Sequence, residues 1–393
     1  MECGAYLAFG MPIAMLGAGW PDARHTYDRP SSALGLVALA YGLGRLATSP
    51  SGQSILRRWS IGAATAGLLA ILAVINVLAA LTGSFALLVG AFAMVGLVSG
   101  ALDSLGNRYQ TVVQKVGQAG LMFGAYGIGA TLGPALVALT SWTTAYLAAA
   151  VIAGGAALLA ASPAVGWPHG IESPATAAAR ATRADRRDRP PVPTGPLVVS
   201  LLCIGLYVSL EVSAGSWTAS YFEEHRGASA QWAGLAVSGF WGGVTLSRLV
   251  MGRYPGGPHR IMAVGATAVA AAYISVPFLP LPLAMGAVLV AGGAGAVMFP
   301  TLVATTTERV GAAATARVTG YQLLAANVVA TGISAAIGVI VARTNDGAPI
   351  WVLIAVSVVA LPLLFSSINL RQPTTEPVAA PLPAGPRRAM TDP

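Results

Sequence analysis

Long apolar segments, interrupted by short polar ones, dominate the pattern of the chain. A helix needs about 20 mainly apolar residues to cross a bilayer, and this criterion divides the sequence into twelve segments. Their apolar residues run continuously instead of alternating, which predicts helices and not the strands of a barrel. The segments lie at 4–22, 32–50, 60–82, 85–107, 118–140 and 145–165, and then at 196–219, 231–252, 261–280, 282–306, 318–342 and 349–369.

The composition favours a protein embedded in lipid. Hydrophobic residues make up 55% of the chain and charged residues only 9%, whereas soluble globular proteins carry about 25% charged residues. The net charge of +8 comes from basic residues between the apolar segments, so it does not indicate nucleic-acid binding. With the N-terminus in the cytoplasm, sixteen Lys and Arg residues, including Arg309, fall on the cytoplasmic side and four fall outside. This asymmetry predicts both termini in the cytoplasm and a location in the plasma (inner) membrane.

The chain is expected to consist of two similar halves. A basic stretch at 167–195, predicted to be a cytoplasmic linker, separates residues 1–166 from residues 196–370, and 371–393 are expected to form a disordered cytoplasmic tail. The stretch from Tyr41 to Arg45 in the second segment is echoed by the stretch from Trp241 to Arg248 in the eighth. We therefore predict an all-α membrane protein of twelve transmembrane helices in two pseudo-symmetric six-helix bundles, with a solute site between the halves.

Two acidic residues lie deep within apolar segments. Asp103 belongs to the fourth segment, and Glu211 belongs to the seventh. An acid at this depth costs several kcal/mol unless it faces a cavity or is protonated. Few basic residues lie at the depth of Glu211, so its carboxyl group is expected to be protonated for much of the transport cycle. Both acids are predicted proton-coupling residues; the alternative is that each only fixes helix packing through a hydrogen bond.

Other polar and aromatic residues at depth are candidates for contact with a solute, although packing hydrogen bonds and an interfacial aromatic belt are alternatives. The predicted substrate-binding residues are Asn107, Tyr207, Trp217, Trp241, Gln322 and Asn327. Arg45 and Arg248 lie near the cytoplasmic ends of equivalent segments and are predicted either to act in a gate or to snorkel to the interface. The two Cys and four His residues show no ligand spacing, so no metal and no cofactor are expected.

Four stretches resemble the major facilitator superfamily, and in particular its fucose permease-like branch. They are Gly96–Asn107, with an acid followed by Asn; Leu206–Trp217, with a Tyr-x-x-x-Glu motif; Phe240–Leu249, with a Gly-x-Thr-x-x-Arg pattern; and Phe299–Leu302, with a Phe-Pro-Thr break. The resemblance implies alternating access about a central cavity and proton-coupled symport of a small polar solute, with a sugar as the best single substrate. We expect a monomer whose partners are the solute, protons and the lipid bilayer.

Export remains the alternative interpretation. The family's Gly-x-x-x-Asp-Arg pattern lacks its acid here, because Gly52 is followed by Leu56 and Arg57. The stretch from Gly129 to Pro134 is similar to part of a motif that is frequent in drug exporters. A proton-antiport exporter of a drug or natural product therefore stays open. A membrane receptor or enzyme finds no support, since no reactive motif or extramembrane domain is evident.

Overall fold

The computed structural model describes residues 2–48, 55, 58–113, 118–163, 167, 192–250 and 256–369. These residues form helices and short connections, and no strand occurs among them. The first half contains α1 (Glu2–Thr26), α2 (Leu34–Thr48), α3 (Ile61–Leu81), α4 (Phe85–Val113), α5 (Gln118–Leu139) and α6 (Trp142–Ala161). The second half contains α7 (Thr194–Ser220), α8 (Ala230–Val250), α9 (Pro258–Ser275), α10 (Leu281–Gly295), α11 (Met298–Ala304), α12 (Thr306–Val310), α13 (Ala312–Arg343) and α14 (Ala348–Asn369). A short π-helical turn, Tyr221–His225, continues α7.

The predicted all-helical architecture is confirmed. Each of the twelve predicted segments overlaps a described helix, and 8 helical stretches are long and apolar enough to cross a membrane. The count of twelve spans stays a prediction, because the helices α2, α5, α8 and α9 are not among those stretches. Most of the predicted linker, at 168–191, and the whole predicted tail, at 371–393, lie outside the described residues.

Large apolar side chains face outward from the bundle, whereas small ones line the contacts between helices. Val74, Val151 and Leu158 are 69%, 75% and 77% exposed, which suits a surface in contact with lipid. At helix crossings glycine allows the backbones to approach closely. A Cβ atom on Gly35 of α2, for example, would lie 2.9 Å from the Cα of Gly338 on α13. The hydrophobic surface that would destabilise a soluble protein is therefore the surface that a bilayer accommodates.

The two halves meet through α1 with α7, α2 with α13 and α5 with α8. Where α1 crosses α7, a Cβ atom on Gly17 would collide with the backbone carbonyl oxygen of Gly215. Beyond this crossing, Arg24 donates from Nε and Nη2 to the two carboxylate oxygens of Glu224, at 2.7 and 2.8 Å. This bidentate ion pair joins the end of α1 to the π-helical turn after α7. We call this end of the bundle the latched end.

The tenth predicted segment, at 282–306, is a broken helix instead of a continuous one. Helix α10 ends at Gly295, and the short helices α11 and α12 follow it. Pro300 lies in α11 and has no N–H to donate to the preceding turn. Arg309 of α12 is only 1% exposed and donates from Nε to Ser200 Oγ on α7 at 2.8 Å and from Nη1 to Thr305 Oγ1 at 2.6 Å. Arg309 does lie between two candidate spans, which end at Ala304 and begin at Ala312, but its side chain is buried and anchors the broken helix inside the second half.

Candidate functional site: two central ion pairs

The first ion pair lies within the first half of the molecule. Arg45 on α2 donates from Nη2 to a carboxylate oxygen of Asp103 on α4. Arg45 also donates from Nη1 to the hydroxyl of Tyr41, one turn earlier, at 3.2 Å. Its Nε donates to Asn327 Oδ1 on α13 at 3.1 Å, so this arginine also contacts the second half. The side chains of Arg45 and Asp103 are 25% and 24% exposed, which indicates that the pair borders a space that water reaches.

The second ion pair lies within the second half. Arg248 Nη2 on α8 is 2.9 Å from Glu211 Oε1 on α7. The hydroxyl of Tyr207, one turn before Glu211, donates to Glu211 Oε2 at 2.8 Å, so two different groups hold the two carboxylate oxygens. The Arg248 and Glu211 side chains are 19% and 13% exposed. This pair is therefore more enclosed than the first.

These pairs change the interpretation of three predicted residues. The expectation that Glu211 lacks a basic partner is wrong, because the long side chain of Arg248 reaches it from the neighbouring helix. The alternative that Arg45 and Arg248 snorkel to the membrane interface is also wrong in this structure, since each guanidinium group is held by an acid inside the bundle. The predicted role of these arginines in a gate is not tested by the geometry and stays a prediction.

Two aromatic side chains, one from each half, lie beside the pairs. Tyr126 on α5 is within electrostatic range of Arg45, Asp103 and Glu211. Its ring meets the ring of Trp241 on α8 edge to face, with centroids 6.3 Å apart. Trp241 is 5% exposed, and its indole Nε1 has no hydrogen-bond partner among the described residues. Because a buried donor without a partner is unfavourable, this N–H is a candidate donor to a solute.

These residues form one group at the interface of the halves, which we call the central polar cluster. It consists of Tyr41, Arg45, Asp103, Tyr126, Tyr207, Glu211, Trp241, Arg248 and Asn327. Its formal charges balance, because each guanidinium group faces one carboxylate. The cluster offers hydrogen-bond donors, acceptors and aromatic surfaces, but it contains no group of three or more His, Cys, Asp or Glu side chains able to hold a metal.

Three predicted substrate-binding residues lie elsewhere. Trp217 is 0% exposed and donates from Nε1 to the carbonyl oxygen of Ser334 at 3.2 Å, because it lies about 120° around the helix from Glu211. Gln322 is also 0% exposed and accepts from Thr306 Oγ1 at 3.1 Å, about 140° around α13 from Asn327. Neither side chain belongs to the group around the two ion pairs, although Nε2 of Gln322 has no hydrogen-bond partner among the described residues; their role in substrate binding stays a prediction. Asn107 is exposed, one turn beyond Asp103.

The sequence interpretation missed two members of the cluster. Tyr41 stands four residues before Arg45, and this spacing places both side chains on one face of a helix. The contact between them can therefore be predicted from the sequence. Tyr126 stands between Gly124 and Gly127 in an apolar segment with no other polar residue nearby. Its position at the centre follows from the contact of α5 with α8, which no local pattern reveals.

Comparisons with known proteins agree on the fold. The family model described as Major Facilitator Superfamily matches residues 3–335. No match to a curated protein sequence reaches significance. Among solved structures, a D-xylose–proton symporter has a TM-score of 0.72 at 15% identity, covering 93% of this chain and 95% of that chain.

Two further solved structures extend the likeness. A nucleoside transporter has a TM-score of 0.71 at 14% identity, covering 93% of this chain and 98% of the other. A bacterial homologue of the human lysosomal transporter Spinster has a TM-score of 0.66 at 14% identity, covering 95% and 97%. At such identities the likeness shows the fold, while the family match spans most of the chain. The chain therefore belongs to the major facilitator superfamily and is a multi-pass membrane transporter of small-molecule substrates.

Proposed function

We propose that the protein is a proton-coupled secondary transporter that moves a small polar solute, with a sugar as the first candidate, by alternating access between its halves. The central polar cluster carries this proposal. Charged and hydrogen-bonding side chains from both halves meet inside a bundle whose outer surface is apolar. Polar groups at such depth are costly, and they usually mark the path of a solute or an ion. The fold likeness to a D-xylose–proton symporter and the motifs that resemble the fucose permease-like branch support the same class of solute.

Asp103 and Glu211 are the candidate proton acceptors, and Asp103 is the first of the two because its ion pair is more exposed. Each acid is paired with an arginine, so a proton can bind only as the guanidinium group finds another partner. Asn327, Trp241 and Tyr207 are the candidate contacts for the solute, since all three lie in the central polar cluster. The bond between Arg45 and Asn327 crosses the halves and must change when the halves rock, which provides a physical route from proton binding to conformation.

The proposed topology places both termini and the 167–195 linker in the cytoplasm. The latched end then faces the outside, and the central polar cluster is reached from the cytoplasm. A cysteine introduced at Ala184, within the linker, should react in intact cells only with permeant maleimides. Reaction with an impermeant maleimide from outside would contradict this orientation.

The function is tested with purified protein in vesicles that contain a pH-sensitive dye. Addition of solutes from a panel of sugars and drugs should cause proton uptake with at least one sugar. A variant with both Asp103→Asn and Glu211→Gln should show no solute-induced proton movement. Asp28→Asn is the matched control, because Asp28 is an exposed carboxylate in the α1–α2 connection and should leave the signal unchanged. Proton movement opposite to the solute, seen with drugs only, would support export instead.

A further inference from the structure

We propose that the transported solute carries a carboxylate, as a sugar acid or another hydroxy acid does, and that this group replaces Asp103 on Arg45 when Asp103 takes up the coupled proton. The inference rests on the proposed function and narrows its substrate class. It depends on three neighbouring features of the central polar cluster: an exchangeable ion pair, a fixed ion pair and an indole N–H that has no partner among the described residues.

The Arg45–Asp103 pair is the exchangeable one. Among the described residues, Arg45 is the one hydrogen-bond partner of the Asp103 carboxylate, whereas Glu211 is held by both Arg248 and Tyr207. The first pair is also more accessible, with Asp103 24% exposed against 13% for Glu211. A competing group that enters from solvent therefore reaches the Arg45–Asp103 pair more easily than the Arg248–Glu211 pair, and it has fewer hydrogen bonds to replace.

The chemistry of the competitor follows from what it must replace. The positive charge of Arg45 opposes protonation of Asp103 as long as the two are paired. A hydroxyl group of a neutral sugar can accept a hydrogen bond from the guanidinium group, but it carries no negative charge to compensate the positive charge of Arg45. A carboxylate matches the planar fork of the guanidinium group and can bind it through two parallel bonds. Binding of the anion thus releases Asp103 to accept a proton.

The charges balance through this exchange. In the empty site Arg45 is paired with ionised Asp103. In the loaded site Arg45 is paired with the solute carboxylate, and the proton resides on an oxygen of Asp103, which is then neutral. One anion and one proton cross together, so the step is electroneutral. A neutral sugar moving with a proton would instead leave the guanidinium charge uncompensated in a site of low dielectric constant, which is costly.

The other groups around the pair do not disturb this balance. Among the described residues, Tyr41 on α2, Tyr126 on α5 and Asn327 on α13 face Arg45 and Asp103 from the packed helices, and all three are neutral. The other charges of the cluster, on Glu211 and Arg248, compensate each other. The N–H of Trp241, which has no partner among the described residues, then remains to donate to a hydroxyl group of the solute, which accounts for a hydroxylated body next to the carboxylate.

The first experiment compares matched neutral and acidic solutes. Vesicles with purified protein receive radiolabelled D-glucose, D-gluconate, D-glucuronate or L-lactate under an inward proton gradient, with or without a membrane potential set by potassium and valinomycin. At least one acid should accumulate about tenfold or more above glucose and should be insensitive to the potential. Proton-driven uptake of glucose without any acid would overturn this inference but leave the proposed function intact. Uptake of none of these probes, and of no sugar in the wider panel, would overturn both.

The second experiment assigns the carboxylate to Arg45. Arg45→Lys keeps the charge but loses the fork, so binding of the transported acid by the purified protein should weaken about tenfold or more. Asp103→Asn should still bind the acid, and this binding should lose its pH dependence. Arg248→Lys is the matched comparison and should weaken binding much less. Equal weakening by both lysine variants, with both proteins folded by size-exclusion chromatography, would contradict the assignment to Arg45.

Discussion

The two halves of the protein build their central ion pairs from equivalent arginines but from different acids. Arg45 and Arg248 lie on the second helix of each half, whereas Asp103 comes from the fourth helix of the first half and Glu211 from the first helix of the second half. The positive groups thus follow the internal repeat and the negative groups do not. A duplicated framework can therefore keep its symmetry for conformational change while the two acids take different roles.

The hydrogen bonds to tyrosine sharpen this difference. In the first half Tyr41 contacts the arginine, and the acid has no second partner among the described residues, whereas in the second half Tyr207 contacts the acid as well as Arg248. Glu211 is thereby fixed from two directions, and Asp103 from one. We expect the first pair to change partners during transport and the second pair to position the helices.

The largest effect is expected for Asp103→Asn. The amide keeps the shape of the protonated acid but cannot release a proton, so uphill accumulation should fall at least 100-fold, while exchange of solute across the membrane without a gradient should remain within about fivefold. Tracer accumulation and counterflow in the same vesicles measure the two. Retained uphill transport would show that Asp103 is a structural residue.

A smaller and different effect is expected for Glu211→Gln. The substitution leaves the guanidinium group of Arg248 without its ionic partner, which costs about 3 kcal/mol of stability for an enclosed pair. Thermal unfolding in detergent should shift downward by several degrees, and transport should slow while it keeps its dependence on pH. If instead the pH dependence disappears, Glu211 is the coupling acid and the comparison between the halves is inverted.

The two tyrosines offer a matched pair of substitutions. Tyr41→Phe removes one hydrogen bond to Arg45, and Tyr207→Phe removes one hydrogen bond to Glu211, each worth about 1 kcal/mol. We expect Tyr41→Phe to weaken solute affinity about fivefold with little change in stability, and Tyr207→Phe to lower stability with little change in affinity. Solute titration and thermal unfolding of both variants separate the outcomes. Equal profiles would remove the distinction between an exchangeable and a fixed pair.

The smallest effect is expected at the latched end. Arg24 and Glu224 are 18% and 17% exposed and form an ion pair near the predicted membrane surface, where such pairs contribute about 1 kcal/mol or less. A double-mutant cycle with Arg24→Gln and Glu224→Gln should give a coupling energy in this range and leave the pH dependence of transport unchanged. A coupling larger than that of the central pairs would mean that the latched end, and not the centre, dominates the energetics of this conformation.

The sequence predicted the helices well because each apolar segment carries its own signal. It also located both acids and both arginines, since charges are rare in these segments. The sequence does not reveal which of these residues form ion pairs. Arg248 and Glu211 are 37 positions apart on neighbouring helices, and only the packing of the helices shows that they meet. Trp217 is a predicted solute contact by its residue type and depth, but its position around α7 directs its indole towards Ser334.

Tyr126 and Arg309 illustrate the same limit from opposite directions. A tyrosine in a glycine-rich segment carries no local sign of a central position, and the contact of α5 with α8 alone brings it there. An arginine between two apolar segments is expected in a solvated connection, but Arg309 is buried and donates to Ser200 on α7. In both cases the outcome depends on which helix lies opposite, and hydropathy does not encode that choice.

Gly215 contacts two regions at once. Its carbonyl oxygen lies where a methyl group on Gly17 would have to fit, and a Cβ atom on Gly215 itself would lie 2.9 Å from the Trp241 ring. Gly215 therefore contributes both to the crossing of α1 with α7 and to the packing around Trp241 in the central polar cluster. Gly17→Ala should be tolerated only when α1 and α7 separate, so it should shift the population of molecules towards the opposite conformation. A single methyl group on Gly17 would then change the relative populations of the two conformations, and with them the side of the membrane that the Trp241 indole faces.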